Sequence, residues 1–275
     1  MIELRDLSLC IGGRPWLTHV EARIGTGEFV ALLGPNGVGK TTLLRAIAGL
    51  HPAEEGEILI DGGPLAQLGP LERARRIAFV TGDELLLDAL SVRDVVAIGR
   101  FPHHRWWEWQ TRGSDAVAVA RALEAVGMEG FAQRLFSTLS SGEQQRVWIA
   151  LGLAQETPIL LLDEPTSHLD VRISHEILTL LHAFSRTGKT VVCALHDLNE
   201  AAAYADRIGL LGNRTLLAFD EPDALLGGPQ LEAVYGIAME SLRLPGGGLR
   251  VFARPPQVNG ARAERDARRN QAPNA

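Results

Sequence analysis

The eight residues Gly34-Pro35-Asn36-Gly37-Val38-Gly39-Lys40-Thr41 constrain this chain more than any other stretch. They follow the β-prone run 28–33 and precede residues 40–48, which read as a helix with Gly49 as its stop. The glycines let the backbone curl so that successive N–H groups face one concavity, and the helix N-terminus adds the positive end of a dipole. That combination suits the phosphates of a nucleotide. With ATP as the ligand, residues 34–41 and Thr42 form the cradle. Lys40 reaches the β- and γ-phosphates and acts in catalysis, and the Thr41 hydroxyl binds Mg²⁺. A glycine-rich turn matching by chance is the competing reading; the composition of the chain allows about 0.002 such matches.

Composition narrows the remaining classes. Length, at 275 residues, suffices for one large α/β domain or two small ones, and 46% hydrophobic against 22% charged residues argues against global disorder. The net charge of −6 disfavours a nucleic-acid partner, which needs clustered cations. No uninterrupted apolar run is long enough to span a bilayer, and residues 1–20 lack a signal pattern, so a cytoplasmic location is expected. The two cysteines, Cys10 and Cys193, read as reduced thiols. Of 27 basic residues only Lys40 and Lys189 are lysine. A slim ammonium fits between phosphates where a planar guanidinium does not, whereas Lys189 falls in a turn and reads as incidental.

Apolar runs alternate with helical patterns, the signature of a parallel or mixed α/β sheet. Residues 57–60 and the turn Asp61-Gly62-Gly63 read as an antiparallel strand and turn, and 77–80 as another strand. Ser114 reads as the N-cap of a helix over 115–126, stopped by Gly127, and a second helix is expected over about 143–153. Residues 83–156 therefore read as a helical insertion. Runs 159–162 and 190–195 lack alternation, as strands buried on both faces do, with a helix over about 171–184 between them. One domain is expected over 1–245, with an Arg-rich, partly disordered extension over 246–275.

Strand 159–162 runs directly into Asp163-Glu164-Pro165, and ligands of open α/β sheets sit at such carboxyl ends. Paired with the loop at 34–41, Asp163 is expected to hold Mg²⁺ through water and Glu164 to polarise the attacking water. A solvated acidic turn is the alternative. Further upstream, Ser140 and Glu143 form an S-x-x-E capping box that opens a helix whose N-terminus can accept a phosphate.

Leu139-Ser140-Ser141-Gly142-Glu143, followed by Gln144-Gln145-Arg146, resembles the signature motif of ATP-binding cassette (ABC) proteins. Ser167-His168-Leu169-Asp170 resembles their D-loop, and His196 their switch histidine; the resemblance covers about residues 1–240. It implies a P-loop NTPase fold, the ABC nucleotide-binding domain: a RecA-like core with an antiparallel β subdomain and a helical insertion. It also implies two copies meeting head to tail around two Mg-ATP. Ser140, Ser141, Gly142 and Glu143 would face the γ-phosphate held by the other copy, Asp170 would stand at the junction, and His196 would bond that phosphate.

Gly99-Arg100-Phe101-Pro102-His103, together with the Val234-Tyr235-Gly236 region, resembles ATPases of iron–siderophore, haem and cobalamin importers. This implies integral membrane permease subunits, an extracytoplasmic solute-binding protein reached through them, and a peripheral place on the cytoplasmic face of the inner membrane. Alternatives are the ATPase of a metal-ion or other ABC transporter and a non-transport soluble ABC ATPase. Several positions depart from the family pattern. Gly82 stands where a glutamine is usual, with Asp83 or Glu84 as substitutes, and Ile11 stands where an aromatic stacks on adenine, with Trp16 nearby. Ser141 and Glu143 replace a glycine and a glutamine; the Glu143 carboxylate slows hydrolysis unless it turns back into the capping box. Trp106, Trp107 and Trp109 read either as core or as an anchor for a membrane subunit, and His175 with His182 lack a third metal ligand.

Overall fold

The computed structural model describes residues 1–81, 87, 89–104, 113–245 and 248–254. Strands β1 (Ile2–Ile11) and β2 (Arg14–Ile24) pair antiparallel, from Ile2 opposite Ile24 to Ile11 opposite Arg14. β3 (Phe29–Leu33) leads through the glycine-rich loop into helix α1 (Lys40–Ile47). β4 (Glu55–Ile60) turns at Asp61-Gly62 into the short β5 (Gly63–Pro64), as the turn residues predict. Helix α2 (Pro70–Arg76) then feeds β6 (Ile77–Val80). Helices α3 (Val92–Ile98), α4 (Gly113–Ala125) and α5 (Ser141–Ala154) separate β6 from β7 (Ile159–Asp163). There follow α6 (Val171–Arg186), β8 (Thr190–Ala194), α7 (Leu198–Tyr204) and the hairpin of β9 (Arg207–Gly212) with β10 (Thr215–Asp220). The described chain ends with α8 (Pro222–Leu226), α9 (Gln230–Tyr235) and a second hairpin, β11 (Met239–Arg243) with β12 (Leu249–Ala253).

Two larger sheets result, one antiparallel in the order β2-β1-β4-β5 and one mixed in the order β10-β9-β3-β8-β7-β6. In the second, β9, β3, β8, β7 and β6 run parallel, so both faces must be covered. Strand alternation divides the core accordingly. Phe29, Ala31 and Leu33 of β3 join Leu160 and Leu162 of β7 in a cluster shared with α3–α6. Val30 and Leu32 face the opposite cluster, with α1 and the antiparallel sheet. No helix among the described residues is long and apolar enough to cross a membrane.

One expected cap is corrected. Ser114 lies inside α4, because that helix already includes Gly113. Its neighbour Asp115, only 3% exposed, is drawn inward by a tertiary partner: Arg100 Nε donates to its Oδ1 at 3.0 Å, and His104 Nε2 lies 3.1 Å from its Oδ2. The tryptophans at 106, 107 and 109 and the tail from 255 lie outside the described residues.

Arg100 belongs to the segment 99–103, which fastens α3 to the far end of α5. Its Nη1 donates to Ala154 O (2.6 Å) and to Glu156 Oε2 (2.7 Å), and His103 Nε2 bonds Gln155 O at 2.9 Å. Gln155 Nε2 reaches back to Ala74 O and Ile77 O, linking the helices to β6. Gly99 permits the approach, since a Cβ there would sit 2.2 Å from Leu151 O. The Gly99→Ala protein is expected to unfold about 1–3 kcal/mol more easily, read as a lower denaturant midpoint at an unchanged slope.

Candidate active site

The glycine-rich loop leaves the carboxyl end of β3, and its geometry requires glycine at two places. A Cβ at Gly34 would lie 2.5 Å from Leu211 O, and Gly39, which precedes α1, has φ 115°. Lys40, 5% exposed, turns back into the loop, where its Nζ donates to Gly34 O (2.8 Å) and Pro35 O (3.3 Å). Burial lowers its pKa, while the Glu164 and Asp163 carboxylates oppose that shift. Thr41 Oγ1 donates to Asp163 Oδ1 at 3.1 Å. Burial raises the Asp163 carboxyl, and the Thr41 bond works against it. The hydroxyl and carboxylate are hard oxygen donors of the kind Mg²⁺ takes, so these two residues fit that ion.

Glu164 sits just past β7 with φ 53°, left-handed backbone that a non-glycine residue adopts only under constraint. Its N–H donates to Ala194 O at 3.2 Å, which holds the turn against β8. Both carboxylate oxygens are engaged: His196 Nε2 stands 2.7 Å from Oε1, and Ser167 Oγ donates to Oε2 at 3.1 Å. Burial pushes this carboxyl upward. The His196 contact, the Ser167 bond and the charge of Lys40 outweigh it and leave the pKa below the ordinary value. Glu164 is therefore a carboxylate at neutral pH.

Glu164 shares a pocket of 140 Å³ with Asn36, Gly37, Gly39, Lys40, Thr41 and Thr42, closed on one side by Trp16. Trp16 Nε1 is buried without a hydrogen-bond partner. Ile11, at the end of β1, is 43% exposed and not part of that wall. A larger cavity of 630 Å³ joins Thr41, Asp163 and Glu164 to Ser141, Gln144 and Gln145 of α5, with Thr81 and His168 on its rim. Gly82, Asp83 and Glu84, next in sequence, lie outside the described residues.

At the start of α5 the capping box is formed. Ser140 N–H and Oγ both donate to Glu143 Oε2 at 2.8 Å, and Glu143 N–H donates to Ser140 Oγ at 3.4 Å. The Ser140 amide, then its hydroxyl, hold the Glu143 carboxyl below its usual pKa. The carboxylate thus turns back onto its own helix. Asp170 caps α6, accepting from Ile173 N–H at 3.0 Å. Ser140, Gly142, Glu143 and Asp170 line neither cavity within this chain.

Three features add to the reading of the sequence. Ser167 bonds Glu164, Tyr235 of α9 is half-buried against the loop at Gly34 with its phenol pKa raised by burial, and Lys189 is no incidental turn residue. Lys189 Nζ donates to Thr157 O at 2.7 Å, and burial lowers its pKa. His175 and His182 both bond Tyr204, and no metal-binding cluster of His, Cys, Asp and Glu occurs among the described residues.

A phosphate-binding loop and a carboxylate pair at the carboxyl ends of β3 and β7, the two parallel strands that flank β8, beside a capped helix, define an ATP-hydrolysing nucleotide-binding domain. The family model described as ABC transporter matches residues 17–167. This chain is 42% identical over 234 residues to the hemin import ATP-binding protein HmuV of Streptomyces coelicolor, covering 85% of this chain and 82% of that protein. It is 36% identical over 237 residues to the ferric enterobactin transport ATP-binding protein FepC of Escherichia coli, covering 84% and 86%. Among solved structures, a chain of an inward-facing ABC transporter described as of metal-chelate type superposes with a TM-score of 0.82 at 26% identity, covering 94% of this chain and 98% of that one. The dimeric bacterial ABC transporter cassette MJ0796 gives 0.70 at 31% identity, covering 81% and 99%. The chain belongs to the ABC transporter family, as an ATP-binding, ATP-hydrolysing cassette.

Trp16 gives the pocket beside Lys40 an aromatic wall of the kind a base can stack on. In Trp16→Ala, ATP affinity is expected to fall about tenfold, the equivalent of about 1.4 kcal/mol, while inorganic tripolyphosphate binds as before. Equal weakening of both ligands, measured by calorimetry, would remove Trp16 from base contact.

Proposed function

We propose that this chain is the ATPase subunit of an importer for an iron–siderophore or haem. The relatives support this reading: proteins named for import or transport of hemin, ferric enterobactin and petrobactin match it at 34–42% identity over most of its length. In this reading residues 1–245 form one domain, with 246–275 as an extension. The chain works as a head-to-tail pair at the cytoplasmic face of the membrane, on permease subunits served by a solute-binding protein. Phe101, 77% exposed between the buried Arg100 and Pro102, is the apolar side chain that segment 99–103 offers to such a partner.

Residues 34–42 cradle the phosphates, with the Lys40 ammonium exchanging two backbone carbonyls for β- and γ-oxygens. Thr41 and Asp163 hold Mg²⁺, which supplies charge neutralisation at those oxygens when bound. Glu164, ionised and facing the pocket, orients the attacking water and takes its proton as the bond to the γ-phosphorus forms and the β–γ bridge breaks. His196, once it turns to the γ-phosphate, releases the Glu164 oxygen it occupies. Ser140, Ser141, Gly142 and Glu143 present the start of α5 to the partner's nucleotide, and Asp170 stands at the junction.

The contact of Glu164 with His196 carries the hydrolytic assignment. Glu164→Gln is expected to bind ATP normally, accumulate as an ATP-bound dimer in size-exclusion chromatography, and turn over about 10²–10⁴-fold more slowly. Wild-type turnover by that protein would remove Glu164 from the mechanism. The importer assignment is tested by co-purifying the chain with its membrane subunits and solute-binding protein and identifying the retained solute; recovery with soluble partners alone defeats it.

A further inference from the structure

The turn that carries His196 is tied to a part of the chain with no place in the nucleotide site. Helix α7 starts at Leu198, and Asp197 caps it, its Oδ1 accepting from Asn199 N–H (2.6 Å) and Glu200 N–H (3.2 Å). Asn199 in turn grips β12 of the C-terminal hairpin. Its Oδ1 accepts from Val251 N–H at 2.8 Å, and its Nδ2 donates to Val251 O at 3.3 Å. Arg250 Nη1 adds a third bond, to Asn199 O at 3.3 Å. A side-chain amide is the short group that satisfies both the N–H and the C=O of one residue; a carboxylate lacks the donor and an apolar side chain lacks both.

The far end of this link is fixed. Leu249 and Val251 of β12 are buried in the main core cluster with Leu225, Leu226 and Leu231. Three bonds therefore connect an anchored strand to the first turn of α7, three residues from a histidine that touches Glu164. Such a histidine has to hold one carboxylate oxygen in one state and reach a phosphate in another, so the backbone that carries it must have a fixed origin.

We propose that Asn199 is a positioning residue for His196, with the C-terminal hairpin as its support. The inference rests on the reading of His196 and Glu164 as the hydrolytic pair. Asn199 touches no nucleotide in this arrangement. It acts through the Asp197 cap, so its removal loosens the His196 turn without altering the phosphate cradle.

The test is a double-mutant cycle on the whole purified chain, followed by single-turnover ATP hydrolysis, which remains readable at slow rates. Asn199→Ala is expected to lower the hydrolytic rate about tenfold with the half-saturating ATP concentration held within about twofold. In the His196→Ala background the same substitution is expected to change the rate by less than about twofold. An unchanged rate for Asn199→Ala, or the same tenfold loss in both backgrounds, overturns the inference and leaves Asn199 as a fastening of the hairpin. Undiminished turnover by His196→Ala itself overturns the reading of His196, and this inference with it. Should Asn199→Ala not fold, Arg250→Ala removes only the bond to Asn199 O. It is expected to cost about twofold to threefold in rate, a loss that vanishes without His196; no loss beside His196 overturns the inference equally.

Discussion

The parallel hydrogen-bonded register of β3, β8 and β7 is the constraint on which the rest of the site depends. Leu32 lies opposite Ala194, and Ala194 opposite Asp163. The three strands therefore end along one edge. Gly34, His196 and Glu164 follow that edge within two residues of the aligned positions, and the Glu164 amide bonds Ala194 O across it. A parallel sheet holds such a register only with both faces buried. The alternation in β3, with Phe29, Ala31 and Leu33 on one side and Val30 and Leu32 on the other, supplies that burial directly.

Opposite charges meet at this edge. Lys40 is buried beside two carboxylates, which oppose the lowering of its pKa by desolvation, and its ammonium donates to two main-chain carbonyls. Asp163 is satisfied by Thr41, and Glu164 by His196 and Ser167. The side chains at this edge are thus bonded to one another and to the loop backbone. Both lysines of the chain share one trait: each places a slim ammonium against a main-chain carbonyl inside the fold. An arginine fork needs more room and a planar partner.

Much of this site was legible because its chemistry is local in sequence. The loop at 34–41, the pair Asp163-Glu164, the capping box of Ser140 with Glu143, and the strand-end His196 all declare themselves within a few residues. Strands β3, β6, β7 and β8 were legible for a related reason, since strands buried on both faces leave uninterrupted apolar runs. What escaped depends on pairs distant in the chain. Ser114 reads as a cap in the local pattern, but α4 already includes Gly113, and the neighbouring Asp115 is bonded to Arg100, 15 residues earlier. The link from Asn199 to Val251 spans 52 residues, and the β1–β2 ribbon owes its place to pairing with β4, whose register no local pattern encodes. Ile11 and Trp16 show the same limit. Their separation of five positions is visible, but the turn of β1 into β2 decides which of them borders the phosphate loop.

The segment 99–103 shows how a short string can matter without touching the nucleotide. Helix α5 has 14 residues, about 21 Å of rigid rod. At its start stand the capping box and, through Ser141, Gln144 and Gln145, the cavity shared with Glu164. At its end Ala154, Gln155 and Glu156 are bonded to Arg100 and His103, and Gln155 is bonded to the start of β6. Replacing Arg100 would take a bonded counter-charge from Asp115, which is only 3% exposed, so that arginine carries more weight than an exposed pair does. Phe101 projects from the same short turn, between two buried neighbours. The exposed phenyl ring therefore projects from the same turn that is hydrogen-bonded to the far end of α5.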